Sequence, residues 1–256
     1  MNRGHRSCIV SFAAAMALAG CDSEPQPEPS ASAAAVAPVE PAPCLAPPPQ
    51  PEPSASASVI AEVPEVFAGV RYAPQDDCSV QPGWPAFRKA LVTAIQTRDA
   101  DGLATLAAPD IALDYGGGSG TAELKKRLAD PKTGLWQELD AILPLGCAME
   151  GGLAAMPWVF WHVPEDIDSY NAMLVMGDQT PLRDKLDGKA ISPVGWFIVG
   201  IDPMGFDPKA PSTRVALRNG QQGWVETEKL RSLLDYRLIA EPQDGTWRIT
   251  AFIAGD

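Results

Sequence analysis

Between Asp22 and Pro64 the chain carries 12 prolines in 43 residues, six acids, no lysine or arginine and no aromatic side chain. Such a stretch buries too little apolar surface to offset the entropy of ordering it, so it is expected to stay disordered or extended. Any hydrophobic core must therefore come from the residues that follow. The heptapeptide Pro-Glu-Pro-Ser-Ala-Ser-Ala occurs at 27–33 and again at 51–57, which is duplication inside a low-complexity run rather than a structural repeat. Proline favours polyproline II, and full extension would reach on the order of 130 Å. The stretch reads as a spacer, with recognition of its prolines by a partner as the alternative.

What precedes the spacer has three parts. Met1 to Arg6 is short and positive, and Ser7 to Ala19 is apolar with Ile9, Val10, Phe12, Met16 and Leu18. That run is too short for a stable membrane span and fits the core of an export signal. Leu18-Ala19-Gly20-Cys21 then resembles the bacterial lipobox, in which the cysteine is acylated and becomes the new first residue. The resemblance implies a signal peptide over 1–20, lipidation at Cys21 and a body held outside the cytoplasmic membrane. Two or more acyl chains are needed for stable anchoring. Asp22 resembles the inner-membrane retention signal of enterobacterial lipoproteins.

From Glu65 onward the composition changes. Trp84, Phe87, Leu91 and Ile95 recur every three or four residues and predict an amphipathic helix. Leu103, Leu106 and Ala107 suggest a second, stopped by Pro109. Ile111 to Tyr115 alternates like a strand, broken by Gly116 to Gly120. Thr121 is placed to cap a third helix through Leu128, and Leu135 to Leu143 reads as a fourth. Helix, helix, strand, glycine break and helix together resemble the opening of NTF2-like domains.

Beyond Pro157 the pattern turns to strands: Trp158 to Val163, Ala172 to Met176, Trp196 to Ile201, Thr213 to Leu217 and Gly223 to Glu226. Within them, Met173-Leu-Val-Met-Gly177 with Pro181-Leu-Arg183, Gly195-Trp196-Phe-Ile-Val199, and Asn219-Gly-Gln-Gln-Gly-Trp-Val225 with Leu230 resemble the strands and closing hairpin of bacterial SH3-like domains. The likeness covers 172–232. It departs at Asp202 to Ser212, an insertion with three prolines. Leu234 to Ala240 and Trp247 to Ile253, joined by Asp244-Gly245, predict a hairpin. Leu234, Tyr236 and Leu238 would share one face, and so would Trp247, Ile249 and Ala251. The hairpin resembles the last two strands of NTF2-like domains. The fold class is thus α+β: a helical part over 65–171, an SH3-like small barrel over 172–232, and a hairpin over 233–256 packed on the body. The barrel is either inserted in one α+β body or a neighbouring domain.

The formal charge of −12 becomes −14 once Arg3 and Arg6 leave with the export segment. An acidic body gives no electrostatic reason to bind nucleic acid, and anionic lipid heads would repel it. Of five cysteines, Cys8 leaves with the signal and Cys21 takes lipid, so Cys44, Cys78 and Cys147 remain in an oxidising compartment if the host is Gram-negative. A Cys78–Cys147 bridge would close about 70 residues and contribute ~4 kcal/mol in the chain-entropy model. Pairing of Cys44 with either one stays open.

Candidate chemistry is sparse. Asp77-Cys78-Ser79 with His162 resembles the NlpC-type cell-wall peptidases, whose nucleophile lies in an Asp-Cys-Ser-Gly segment. Here Val80 replaces the glycine, and Pro82-Gly83 interrupts the helix that should present the thiolate. His162 is the only histidine left after cleavage, which excludes the usual zinc triads. Gly116 to Gly120 matches neither dinucleotide-binding nor P-loop spacing. Glu165-Asp166-Ile-Asp168 and Asp202 to Asp207 lack EF-hand spacing. No catalytic residue, metal or cofactor is assigned. The expectation is a non-enzymatic, lipid-anchored envelope protein. Its SH3-like part would bind peptidoglycan or an envelope protein through Trp196 and Trp224. The alternatives are a hydrolase using Cys78 and His162, and small-ligand binding in an NTF2-like cone.

Overall fold

The computed structural model describes residues 69–255. The expected export segment 1–20, the expected lipidation site Cys21, the proline-rich run 21–64 and Cys44 lie outside the described residues. Helix α1 (Trp84–Gln96) follows a left-handed Gly83, φ 78°, and has proline in its first turn, where no intrahelical N–H is lost. Its apolar stripe buries Trp84, Phe87, Leu91, Ala94 and Ile95. Asp99 caps α2 (Ala100–Leu106) by accepting a hydrogen bond from Gly102 N at 2.8 Å. A Cβ at position 102 would lie 2.3 Å from the Asp99 carboxylate, so this cap needs glycine.

Strand β1 (Ala107–Ala112) follows directly, starting four residues before the expected Ile111. Helices α3 (Thr121–Ala129) and α4 (Leu135–Ile142) bury Leu124, Leu128, Leu135, Leu139 and Ile142. The residue at the N-cap of α3 is Gly120; Thr121 makes no capping bond. Strands β2 (Ala148–Glu150) and β3 (Leu153–Met156) form a small hairpin that sequence pattern did not predict, being alanine-rich and without β-branched residues.

Seven strands come next: β4 (Ala172–Val175), β5 (Pro181–Arg183), β6 (Ala190–Pro193), β7 (Ile198–Gly200), β8 (Ser212–Ala216), β9 (Gln222–Glu226) and β10 (Leu230–Ser232). The chain closes with β11 (Arg237–Gln243) and β12 (Thr246–Ile253). Two sheets result, ordered β1-β12-β11-β3-β2 and β10-β4-β7-β8-β9-β5-β6. Only β1–β12 is parallel; the other strand neighbours are antiparallel. Pro109 is tolerated inside β1 because this strand sits at a sheet edge. The second sheet ends at β10 and β6 and does not close into a barrel, unlike the small barrel expected for 172–232.

The second sheet lies, in sequence, between β3 and β11, and these two strands pair directly, Met156 opposite Leu238. The chain therefore leaves the first sheet, builds the second, and returns to the strand it left. Two further expectations need correction. Trp158–His162 is a 3-10 helix, not a strand: a short apolar run does not by itself distinguish the two, and here Trp158 and Val159 are both buried. In the last hairpin the turn is as expected, with Asp244 and Gly245 at φ 50° and 75°. However, the register shifts where Ile239 faces Ala251 and Ala240 faces Ile249. The extra residue, Thr250, switches the buried face, so Phe252 joins Trp247 and Ile249 in the core where Ala251 was expected. Leu234 and Tyr236 precede β11 rather than belonging to it.

The helices and first sheet enclose one core containing Trp84, Leu91, Ile95, Leu139, Ile142 and Phe252. A second cluster bridges the sheets, joining Ala148 of β2 to Trp158, Val159, Leu174 of β4 and Ile198 of β7. At the same junction Arg231 pairs with Asp235 at 3.1 Å and donates to Tyr236 O at 2.8 Å. Arg237 donates to the Tyr115 hydroxyl and stands 5.0 Å over the Phe160 ring.

Glu138 of α4 shows how this junction titrates. Burial, then the nearby Asp235 charge, holds its carboxyl above the usual range, with Arg231 opposing. A carboxyl raised in the folded state disfavours folding when ionised, so the cost is absent below the ordinary glutamate range and complete above the raised value. Glu138→Gln is expected to raise the melting temperature at pH 7 and to leave it unchanged near pH 4. Melts across pH 4–8 test this; a lower melting temperature for the variant at pH 7 would mean that Glu138 is held by Arg231 instead.

Candidate functional site

Strands β8 and β9 pair with Arg214 opposite Trp224 and Val215 opposite Gly223. With period-two alternation, Thr213, Val215 and Val225 turn into the sheet's core, while Arg214, Ala216, Gln222 and Trp224 turn outward. Gly223 has a steric reason: a Cβ there would meet Leu182 Cγ at 2.6 Å and Arg183 O at 2.7 Å.

The segment between β7 and β8 folds back beside this outer face. It is built from two consecutive turns. Asp202 accepts from Met204 N at 3.0 Å and Asp207 from Lys209 N at 2.9 Å, and the main chain closes each turn through Gly205 N to Asp202 O and Ala210 N to Asp207 O. Phe206, between the turns, is half-buried. The segment and the outer face of β8–β9 enclose a groove of about 600 Å³, within the range that takes small ligands. Its lining includes Gly200, Phe206, Arg214, Ala216 and Trp224, with the Asp202 and Asp207 side of the turns as one wall. Arg214 donates to Gln222 Oε1 at 2.6 Å. Among the ion pairs of the described residues, none involves Arg214, Asp202 or Asp207.

Of the two tryptophans expected to bind ligand, Trp224 lines this groove and Trp196 does not. Trp196 has φ 65° in the turn before β7, donates from Nε1 to Asp178 at 2.8 Å, and packs on the cluster between the sheets. Gly195 beside it is pressed so close to Gly177 O that a Cβ would sit at 1.8 Å. Sequence reasoning did not single out Phe206 or Arg214, and it weighed Asp202 to Asp207 only as a calcium loop without EF-hand spacing. The available signal was an aromatic residue flanked by two Asp-Pro pairs, Asp202-Pro203 and Asp207-Pro208.

The remaining sequence candidates are engaged elsewhere. A disulfide joins Cys78 and Cys147, Cα atoms 5.8 Å apart, and both residues are buried. Main-chain bonds flank it, Asp77 N to Cys147 O and Cys147 N to Gln75 O, each 2.8 Å. A bridged Cys78 presents no thiolate. His162 stacks on Trp158 with centroids 3.6 Å apart, its Nδ1 2.9 Å from Trp158 O, while Trp158 Nε1 donates to Asp77 at 2.8 Å.

The glycine break is occupied by its own acid. Asp114 accepts from Gly118 N at 2.9 Å and pairs with Arg127, which also holds Glu123 at 3.0 Å. The Arg127 bond, then the Gly118 amide, holds the Asp114 carboxyl below the usual range. Asp166 pairs with Arg218, and Asp168 caps Tyr170 N at 3.0 Å. No group of three or more His, Cys, Asp or Glu side chains among the described residues is placed to hold a metal. On the helix-facing side of the first sheet, Trp84, Leu103, Leu139, Ile142 and Phe252 are buried in one core.

No family model matches the chain, and no curated protein matches it. Solved structures similar to it have NTF2-like or cystatin-like folds. One is a protein of unknown function with a cystatin-like fold from Nostoc punctiforme: 9% identity, TM-score 0.25, covering 67% of this chain and 86% of that one. Another is an NTF2-like protein with a cystatin-like fold from Novosphingobium aromaticivorans: 12% identity, TM-score 0.24, covering 67% and 79%. At such scores the likeness carries no functional argument.

Proposed function

We propose that the chain is a lipid-anchored envelope protein that presents a non-enzymatic, SH3-like binding unit to peptidoglycan or to an envelope protein. The observation that carries the reading is the groove along the outer face of β8 and β9, with Trp224 as its large aromatic surface. A half-exposed tryptophan offers contact area at low entropic cost, and the polar groups around it supply orientation. The open second sheet is read as an SH3-like unit whose second strand region was expanded by the Asp202–Ser212 segment. Lipidation at Cys21 supplies the anchor, and residues 21–64 space the unit from the bilayer. The body lies in the periplasm if the host is Gram-negative.

The experiment has two arms. Cys21→Ala should block lipidation and signal-peptidase processing. Trp224→Ala should reduce co-sedimentation with purified sacculi, or recovery of an envelope protein from detergent extract, by at least tenfold. Trp224 is only partly buried, so the variant should still melt cooperatively, and Arg214→Gln serves as a second, surface-only change. Wild-type retention of the Trp224→Ala protein by both materials would remove the groove from the function. Maturation of Cys21→Ala at position 21 together with wild-type detergent partitioning would remove the anchor.

A further inference from the structure

The groove holds charges of both signs that the chain does not neutralise. Arg214, on the strand wall, has an amide partner in Gln222, which orients the guanidinium but leaves its charge uncompensated. Asp202 and Asp207, on the turn wall, each use Oδ1 to close their own turn, and among the described residues their carboxylates accept no other hydrogen bond. Three prolines, at 203, 208 and 211, stiffen that wall. Elsewhere on the surface, arginines such as Arg98, Arg183 and Arg218 have carboxylate partners. Trp224 stands on the strand wall opposite Arg214, and Phe206 on the turn wall between the two aspartates.

We infer that the groove takes a short zwitterionic peptide, with its carboxylate on Arg214, its ammonium group at Asp202 and Asp207, and its backbone across Trp224. The inference rests on the groove being the binding site proposed above. Charge complementarity selects the ligand. A polyanion would meet both aspartates and an acidic chain of formal charge −12, and a polycation would meet Arg214. The planar fork of arginine suits a carboxylate, and an ammonium group gains from both carboxylates and aromatic faces. A zwitterionic lipid headgroup has the same two charges; a peptide is favoured because Trp224 and Ala216 also line the groove and offer contact beyond the charged groups.

The test is titration of the full chain, by calorimetry and tryptophan fluorescence, with the wall tetrapeptide L-Ala-γ-D-Glu-L-Lys-D-Ala. Parallel samples use the same peptide with its amines acetylated, the same peptide with its carboxylates amidated, and phosphatidylethanolamine vesicles. The free peptide should bind, and each blocked form should bind at least tenfold more weakly. Arg214→Gln should erase the difference between free and amidated peptides only. Asp202→Asn with Asp207→Asn should erase the difference between free and acetylated peptides only. If all three peptides bind equally and Trp224→Ala abolishes binding, the site stands and the zwitterionic specificity falls. If no peptide binds while retention on sacculi still depends on Trp224, the peptide ligand falls alone. Binding to the vesicles in place of the peptides also overturns it. Loss of both peptide binding and Trp224-dependent retention removes the underlying reading as well.

Discussion

A chain ending at Arg231 is expected to lose most of its helical circular dichroism signal and to be digested rapidly by protease. The truncation removes β11 and β12, which occupy the centre of the first sheet. Without them β1 loses its partner strand, and the β2–β3 hairpin is separated from the rest of its sheet. The helices lose Leu238, Ala240, Trp247, Ile249 and Phe252 from their core. Trp247 concentrates the effect. It is 5% exposed, donates from Nε1 to Pro82 O at 2.9 Å, and meets Trp84 edge-on at 4.9 Å. Trp247→Ala should cost ~3–5 kcal/mol by leaving a large cavity under α1. A compact, cooperatively melting product of the truncation would show the hairpin to be an appendage.

Replacing Cys78 and Cys147 together by alanine should lower stability by ~4 kcal/mol, the chain-entropy value for closing a loop of about this length. The bridge spans 69 positions and ties the segment before α1 to the segment before β2. That loop holds the four α-helices of the described residues, so opening it frees the helical layer in the unfolded chain. Urea denaturation of the variant, and of the parent with and without reductant, measures the difference. A loss under ~1 kcal/mol would mean that the main-chain bonds around Asp77 and Cys147 hold this corner unaided, each such bond contributing about that much net.

Much of this architecture was legible where local chemistry and tertiary structure agree. Trp84, Phe87, Leu91 and Ile95 announced α1 because one helix face meets one core. Asp244-Gly245 announced the hairpin because few other dipeptides accept two positive φ values. The failures have a different origin. Ala154, Ala155 and Met156 are buried by neighbouring strands, and nothing in their composition requires a strand. Trp158 to His162 is apolar because it fills the space between two sheets, a demand that carries no periodicity. Trp196 and Trp224 look equivalent in the sequence, but a positive φ at Trp196 turns it toward the inter-sheet cluster. The groove depends on where a proline-rich segment lands after leaving β7, which only the assembled sheet determines.

The pairing of β3 with β11 has a consequence for the order of events during synthesis. A ribosome delivers the helices, β2 and β3 first, yet their sheet lacks its two middle strands until the final residues emerge. All seven strands of the second sheet are made in the interval and lie close together along the chain, so they are free to assemble while the earlier half waits. The waiting half exposes the apolar faces that β11 and β12 will cover, and it is the stage at which the chain most needs protection from aggregation. Completion then comes as a single late step, when the last hairpin threads between β1 and β3 and locks a beginning made more than 80 residues earlier.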